Sequence, residues 1–209
     1  MKPIDHFNMV WNRCDLLSVL HQFVSSKLTA AVDPDEILRA EWVARVSALD
    51  LYIHEKIAQG MLDIFSGIKP ETAAYSKFQL PNHVISKIRT AASPQVCCTA
   101  FDLEIREKLS TLTFQDPDKI ADGVRLISNI ELWNSVAIHL GATQANKSEK
   151  AKEIKRSLSI IVSRRNKIAH EGDLQPNFPR EPWPISSTDI DYVNRTILNI
   201  VQSIESVTT

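Results

Sequence analysis

The 209 residues include 24 Lys or Arg and 25 Asp or Glu, with 44% hydrophobic and 23% charged residues overall. That length supports one well-filled core or at most two small domains, and the balance is that of a globular chain rather than a disordered or membrane-embedded one. A formal net charge of −1 excludes a globally basic nucleic-acid binder, so any surface for nucleic acid has to be a local patch.

The N-terminal stretch "MKPIDHFNMVWNRCD" places polar residues where a signal peptide needs an apolar run, and no apolar segment reaches membrane-spanning length. Cys14, Cys97 and Cys98 have no metal-ligand spacing, and an odd count with one adjacent pair makes a poor disulfide framework. The expectation is a reduced, cytoplasmic protein with no cofactor, no metal and no membrane contact, in which Cys97 and Cys98 fill core space.

Five glycines and few alternating β-branched segments argue against a sheet. Ile4, Phe7, Trp11, Leu17, Leu20, Val24 and Leu28 mark a first amphipathic helix. "DPDE" at 33–36 supplies an N-cap Asp33, Pro34 at the first helical position and Glu36 two residues on. It opens a long helix over about 36–65, with Ile37, Trp42, Val46, Leu49, Ile53, Ile57, Met61 and Ile64 on one face, ended by Gly67 and Pro70. "PETAAYSKF", "PNHVISKIRTA" and residues 95–110 read as shorter helices. "DPDK" at 116–119 repeats the cap-and-proline device and starts a helix that breaks near Ser128–Asn129. "IELWNSVAIHLG" ends at Gly141, and a helix beginning near Ser148 runs to Gly172. Residues 174–186, with four of the ten prolines, form an extended loop, and a final helix is capped by Ser187 or Thr188. Trp42 and Trp133 sit at core positions. The expectation is a single all-α domain over 1–209.

The helix before Gly172 carries the unusual chemistry. Ile154, Leu158 and Ile161 set an apolar seam whose next positions are 165 and 168; Ile168 continues it, but Arg165 does not. An arginine on such a seam must be paired or kept for a ligand, because an unpaired buried charge costs several kcal/mol. Five residues on, His170 points roughly 140° away from Arg165. It shares a side with Asn166, Ser163 and Ser159, so a second copy of the helix is the natural way to bring both kinds of group together. From Lys147 to His170 there are eight Lys or Arg and two Glu, a local +6 in a chain of net −1.

Arginine and histidine without metal ligands offer a narrow chemistry. His170 can move a proton near neutral pH, and Arg165 can stabilise negative charge on phosphate oxygens. An RNA 2′-hydroxyl beside its own phosphodiester needs no other nucleophile, and the basic patch suits that substrate. The bare Arg-to-His spacing also arises by chance, and the basic segment also reads as a solvated face. Asp50 and His54 lie four apart on the second helix, either as a surface pair or as groups that orient His170.

The longer context "SIIVSRRNKIAHEGD", after "ELWNSVAIHLG", resembles the HEPN superfamily and is most similar to its RiboL-PSP-HEPN branch. "ALDLYIHEKI" at 48–57 and "TFQDPDKI" at 113–120 extend the similarity over most of residues 40–175, with a core motif region of about 36–173. The resemblance implies an HEPN-like helical bundle with a long second helix and a Pro-rich loop before the last helix. It further implies a metal-independent endoribonuclease with a composite site at a homodimer interface, serving as a toxin or phage-defence effector alongside an antitoxin or defence partner protein. The catalytic residues carried over are Arg165, Asn166 and His170; Arg164 and Lys167 are expected to bind substrate phosphates as exposed cations. Gly172 stands where HEPN toxins paired with small nucleotidyltransferase antitoxins have a tyrosine, so control by nucleotide addition there is not expected. The alternative is a non-catalytic helical module that binds RNA or protein.

Overall fold

The structure, a computed structural model, describes residues 1–27 and 33–208. Among these residues eight α-helices follow one another: α1 Pro3–Lys27, α2 Asp35–Phe65, α3 Asn82–Arg89, α4 Pro94–Leu109, α5 Pro117–Arg125, α6 Leu132–His139, α7 Lys147–Glu171 and α8 Ser187–Val207. Tyr75–Lys77 add a single 3-10 turn, and among the described residues the only β pairing is an isolated bridge between Leu174 and Pro182. The chain is all-α.

The organising element is α2. Val46, Leu49, Ile53, Ile57 and Met61 are fully enclosed, as the helical spacing anticipates, and α1, α4, α5, α7 and α8 all pack against this helix. Enclosing each such side chain contributes roughly 1.5–3 kcal/mol. One core cluster draws residues from α1, α2, α4, α5, α6, α7 and α8.

The α1–α2 hairpin also holds a charge. Arg45 is completely buried; it donates to Glu41 (2.7 Å), Asp15 (2.6 Å) and the Trp11 carbonyl (3.2 Å), and stacks over the Trp11 ring. A guanidinium is tolerated there because its donors are met by acceptors and its plane by an aromatic face.

The punctuation signals map onto the ends with small offsets. The Asp33 carboxylate accepts from the Asp35 backbone N–H at 3.0 Å, while Pro34 itself stands at the cap position. Asp116 caps α5 through the N–H groups of Asp118 and Lys119, and α5 ends at Arg125, before the expected break. α7 starts at Lys147, beside the expected Ser148, and the Asn146 side chain at its cap position accepts from the Thr143 N–H and makes no bond to α7. Ser186 caps α8, one residue ahead of the expected Ser187 or Thr188, because Ser186 and Asp189 complete a reciprocal capping box. "PETAAYSKF" supplies only the 3-10 turn. The inner face of α1 is Phe7, Trp11 and Cys14; Leu20 is exposed and Leu28 lies outside the described residues. Cys97 and Cys98 are half-buried rather than core, near the exposed start of α4. Among the described residues, no helix is long and apolar enough to cross a membrane.

Candidate functional site at the end of helix α7

Helix α7 meets the core through Ala151, Leu158 and Ile161, which are buried. Trp42 of α2 fixes the next turn by donating its indole N–H to the Ile161 carbonyl at 3.0 Å. In an α-helix that same carbonyl accepts from the backbone N–H of Arg165, so the tryptophan anchors the turn from which the motif projects.

Beyond Ile161 the seam opens. Arg165 and Ile168 are half-buried, and no residue from 162 to 171 is fully buried. Among the described residues Arg165 meets no carboxylate. Its one hydrogen bond with them runs from Nη1 to Asn166 Oδ1 at 3.0 Å, and its Nε is enclosed without a partner. Asn166, Lys167 and His170 are exposed, and neither Lys167 nor His170 makes a side-chain hydrogen bond or ion pair with the described residues. Arg165 and Asn166 are thus brought together, whereas His170 stands apart on the exposed face.

Arg164 departs from the expectation of an exposed phosphate ligand. Only 22% of its side chain is exposed; Nη2 donates to Asp173 Oδ2 (3.1 Å) and to the Pro184 carbonyl (2.7 Å), and the guanidinium stacks over Trp42. The off-seam position was legible, but the acid that captures it was not. Asp173 has no exposed surface and also accepts from Arg39 Nε at 3.3 Å. The geometry follows from the helix end. Gly172 takes φ 66° and Asp173 takes φ 55°, and the Asp173 N–H closes back on the Lys167 carbonyl at 3.1 Å. Aspartate tolerates this left-handed conformation better than most residues, and the reversal swings its carboxylate beneath α7.

The Pro-rich segment completes the surroundings. Gln175 and Glu181 pair by a backbone bond (2.8 Å), and Trp183 N–H donates to the Asp173 carbonyl (2.7 Å), so the segment doubles back on itself. The Trp183 carbonyl in turn accepts from Arg39 (2.8 Å). Sequence reasoning missed Arg39, Asp173 and Trp183. The "GD" pair after the helix was the one available signal for a left-handed aspartate, and nothing in the spacing of Arg39 pointed 134 residues ahead to its partner.

Two of the eight cations of α7 meet acids outside the 147–170 segment, Lys155 on Asp118 and Arg164 on Asp173, which lowers the local +6 to +4. The patch remains basic.

Asp50 and His54 do not reach the motif. The Asp50 carboxylate accepts from Phe114 N–H (2.6 Å) and Gln115 Nε2 (3.0 Å), and His54 sits edge-on to the Phe114 ring, so this pair buttresses the loop before α5. Among the described residues, no group of three or more His, Cys, Asp or Glu is placed to hold a metal ion. No protein-family model, curated protein or solved structure matches this chain, so what the site does has to be argued from its own residues.

Proposed function

We propose that this chain is a metal-independent endoribonuclease of HEPN type, acting as a cytoplasmic homodimer in a toxin or phage-defence role. The observation that carries the reading is Arg165: a half-buried guanidinium on an apolar seam, with an enclosed, unpartnered Nε and no carboxylate. A cation left so exposed to desolvation is best accounted for by an anion that arrives from outside.

In the proposed reaction His170 takes the proton from an RNA 2′-hydroxyl. The 2′-oxygen forms a bond to phosphorus, and the bond to the 5′-oxygen breaks, with solvent returning a proton to the departing oxygen. Arg165, steadied by Asn166, donates to the phosphoryl oxygens, where negative charge grows in the transition state. The products are a 2′,3′-cyclic phosphate and a 5′-hydroxyl. Lys167, free and exposed, is the phosphate-attracting cation beside them.

The second reading is a non-catalytic module that binds RNA or protein. What favours it is the lack of any group among the described residues that orients the His170 ring. Incubating wild-type and His170→Ala protein with total RNA in EDTA separates the two. The enzyme reading expects cleavage by the wild type alone, leaving cyclic-phosphate ends. Cleavage that vanishes with chelator and returns with Mg²⁺ sinks the mechanism, and RNA bound but uncut hands the site to the second reading.

A further inference from the structure

Next to the motif, between α7 and the returning Pro-rich segment, lies a cleft of about 460 Å³, within the range of small-molecule and nucleotide sites. Its α7 wall carries Arg156, Ser159, Ser163 and Lys167; its opposite wall is Trp183 with Pro184, and Arg164 and Asp173 form the side between them. Three features point to one kind of occupant.

The first is the aromatic wall. Trp183 is 41% exposed although its backbone is tied down at both ends, by its N–H to Asp173 and its carbonyl to Arg39. A large indole held rigidly and left open is a stacking platform. The second is charge. Arg156 and Lys167 are exposed and make no ion pair with the described residues, while the one acid, Asp173, is fully buried and already shared by two arginines. The cleft therefore attracts anions. The third is direction. On an α-helix, Arg156, Ser159, Ser163, Lys167 and His170 fall within an arc of roughly 80°, and Ser163 lies only about 10 Å from His170 along the axis. One exposed, polar stripe leads from the cleft to the candidate base.

We propose that this cleft holds an unpaired base of single-stranded RNA, from a nucleotide flanking the cleaved linkage, stacked on Trp183 while Arg156 and Lys167 meet the adjoining phosphates. The inference rests on the RNA reading of the Arg165–His170 site and adds to it a reason for cutting unpaired rather than duplex RNA. In a duplex each base face is covered by its neighbour, and the indole has nothing to stack on.

Tryptophan fluorescence gives a direct readout, because Trp11, Trp42 and Trp133 are 6%, 4% and 7% exposed and only Trp183 is open. Wild-type, Trp183→Phe and Trp183→Ala proteins are titrated with a short unstructured 2′-O-methyl RNA, whose blocked nucleophile keeps it intact. Parallel titrations use the same strand as a duplex, the strand carrying abasic sites, and heparin as a base-free polyanion. Stacking contributes about 1–3 kcal/mol per base. The expected result is therefore quenching of the wild type by the single strand, no such quenching in Trp183→Phe, and binding weakened by roughly 5- to 150-fold in Trp183→Ala, with Trp183→Phe retaining most of it. The indole side chain makes no hydrogen bond, so its removal leaves the backbone ties in place. Equal affinity for the abasic strand, heparin and the intact strand overturns the inference, as does unchanged binding by Trp183→Ala. If wild-type protein still cuts RNA in that case, the nuclease reading survives without the base cleft. If base-dependent binding occurs without cleavage, the cleft survives and the nuclease reading falls. If the protein neither binds nor cuts, both are overturned.

Discussion

Replacing each of the two adjacent arginines of α7 by alanine is expected to give opposite phenotypes. Arg164→Ala removes a charge-assisted bond to Asp173 (3.1 Å), a bond to the Pro184 carbonyl (2.7 Å) and the stack on Trp42. Breaking a buried ion pair by deleting one partner typically costs about 3–5 kcal/mol. Here the lower end or less applies, because Arg164 keeps some solvent contact and Asp173 retains Arg39. A loss of about 2–3 kcal/mol corresponds, for a chain of this size, to a fall in Tm of roughly 5–10 °C. Arg165→Ala removes one hydrogen bond to an exposed asparagine and a cation with no carboxylate. Its stability should stay within about 1 kcal/mol of wild type, while cleavage falls by about 10²–10³-fold through loss of a transition-state donor. Urea denaturation followed by circular dichroism, set beside single-turnover RNA cleavage, reads both effects. If Arg164→Ala unfolds like the wild type and Arg165→Ala is the unstable one, the assignment of roles to the pair is wrong by one residue.

Two further outcomes concern the scaffold. Arg106 forks onto Glu55 (2.6 and 3.0 Å), and this guanidinium holds the Glu55 carboxyl below the usual carboxylate range. A carboxyl depressed in the folded state contributes stability above its unfolded pKa and loses that contribution as pH falls through the folded value. The urea midpoints of wild type and Glu55→Gln should therefore differ at pH 7 and converge as pH falls through and below the ordinary glutamate range; a gap independent of pH contradicts the linkage. Gly60 faces Ile127 across α2, and a Cβ there would meet the Ile127 Cβ and Cγ2 at 2.7 Å. Overpacking costs about 1–3 kcal/mol against roughly 1 kcal/mol of gained helix propensity. Because the Ile127 Cβ cannot rotate away, the upper part of that cost applies and Gly60→Ala should be destabilised by up to about 2 kcal/mol in thermal unfolding, and a stabilised variant would show that the contact yields freely.

Periodicity and punctuation were the legible part of this chain. The seam of α2 holds from Trp42 to Ile64 because its burial is dictated by spacing, although Ile37 at its start is only half-buried, and Asp116 caps α5 as its cap-and-proline signature requires. The failures lie in which polar partner a side chain meets. Ser186 displaces Ser187 because a carboxylate three residues ahead decides the cap. Arg164 is tied down because Asp173, reversed by two left-handed residues, returns under the helix to meet it and Arg39. Helical spacing places a side chain on a face, but it does not say which distant acid will face it. For the same reason Asp50 was legible as a polar group on α2 and illegible as the acceptor that shapes the Phe114–Gln115 turn.

The proposed chemistry makes a demand on assembly that α7 cannot meet by itself. Arg165 and His170 diverge by about 140° around the helix, and no other side chain of the described residues except Asn166 makes a hydrogen bond to either. The last turns of α7 are also unfinished as a packing surface: Ile168 is only half-buried, and no residue from 162 to 171 is fully buried. A second copy crossing these turns would cover Ile168 and set one arginine near the other's histidine. The expected state is therefore a homodimer by light scattering, whose specific activity falls on dilution, and Ile168→Glu should give an inactive monomer. A competing face exists on α1, where Leu16 and Phe23, one heptad apart, are 66% and 61% exposed. Phe23→Glu tests it. If Phe23→Glu dissociates the dimer and Ile168→Glu leaves it intact and active, copies meet through α1. Arg165 and His170 would then have to act from within one chain, against their angular separation.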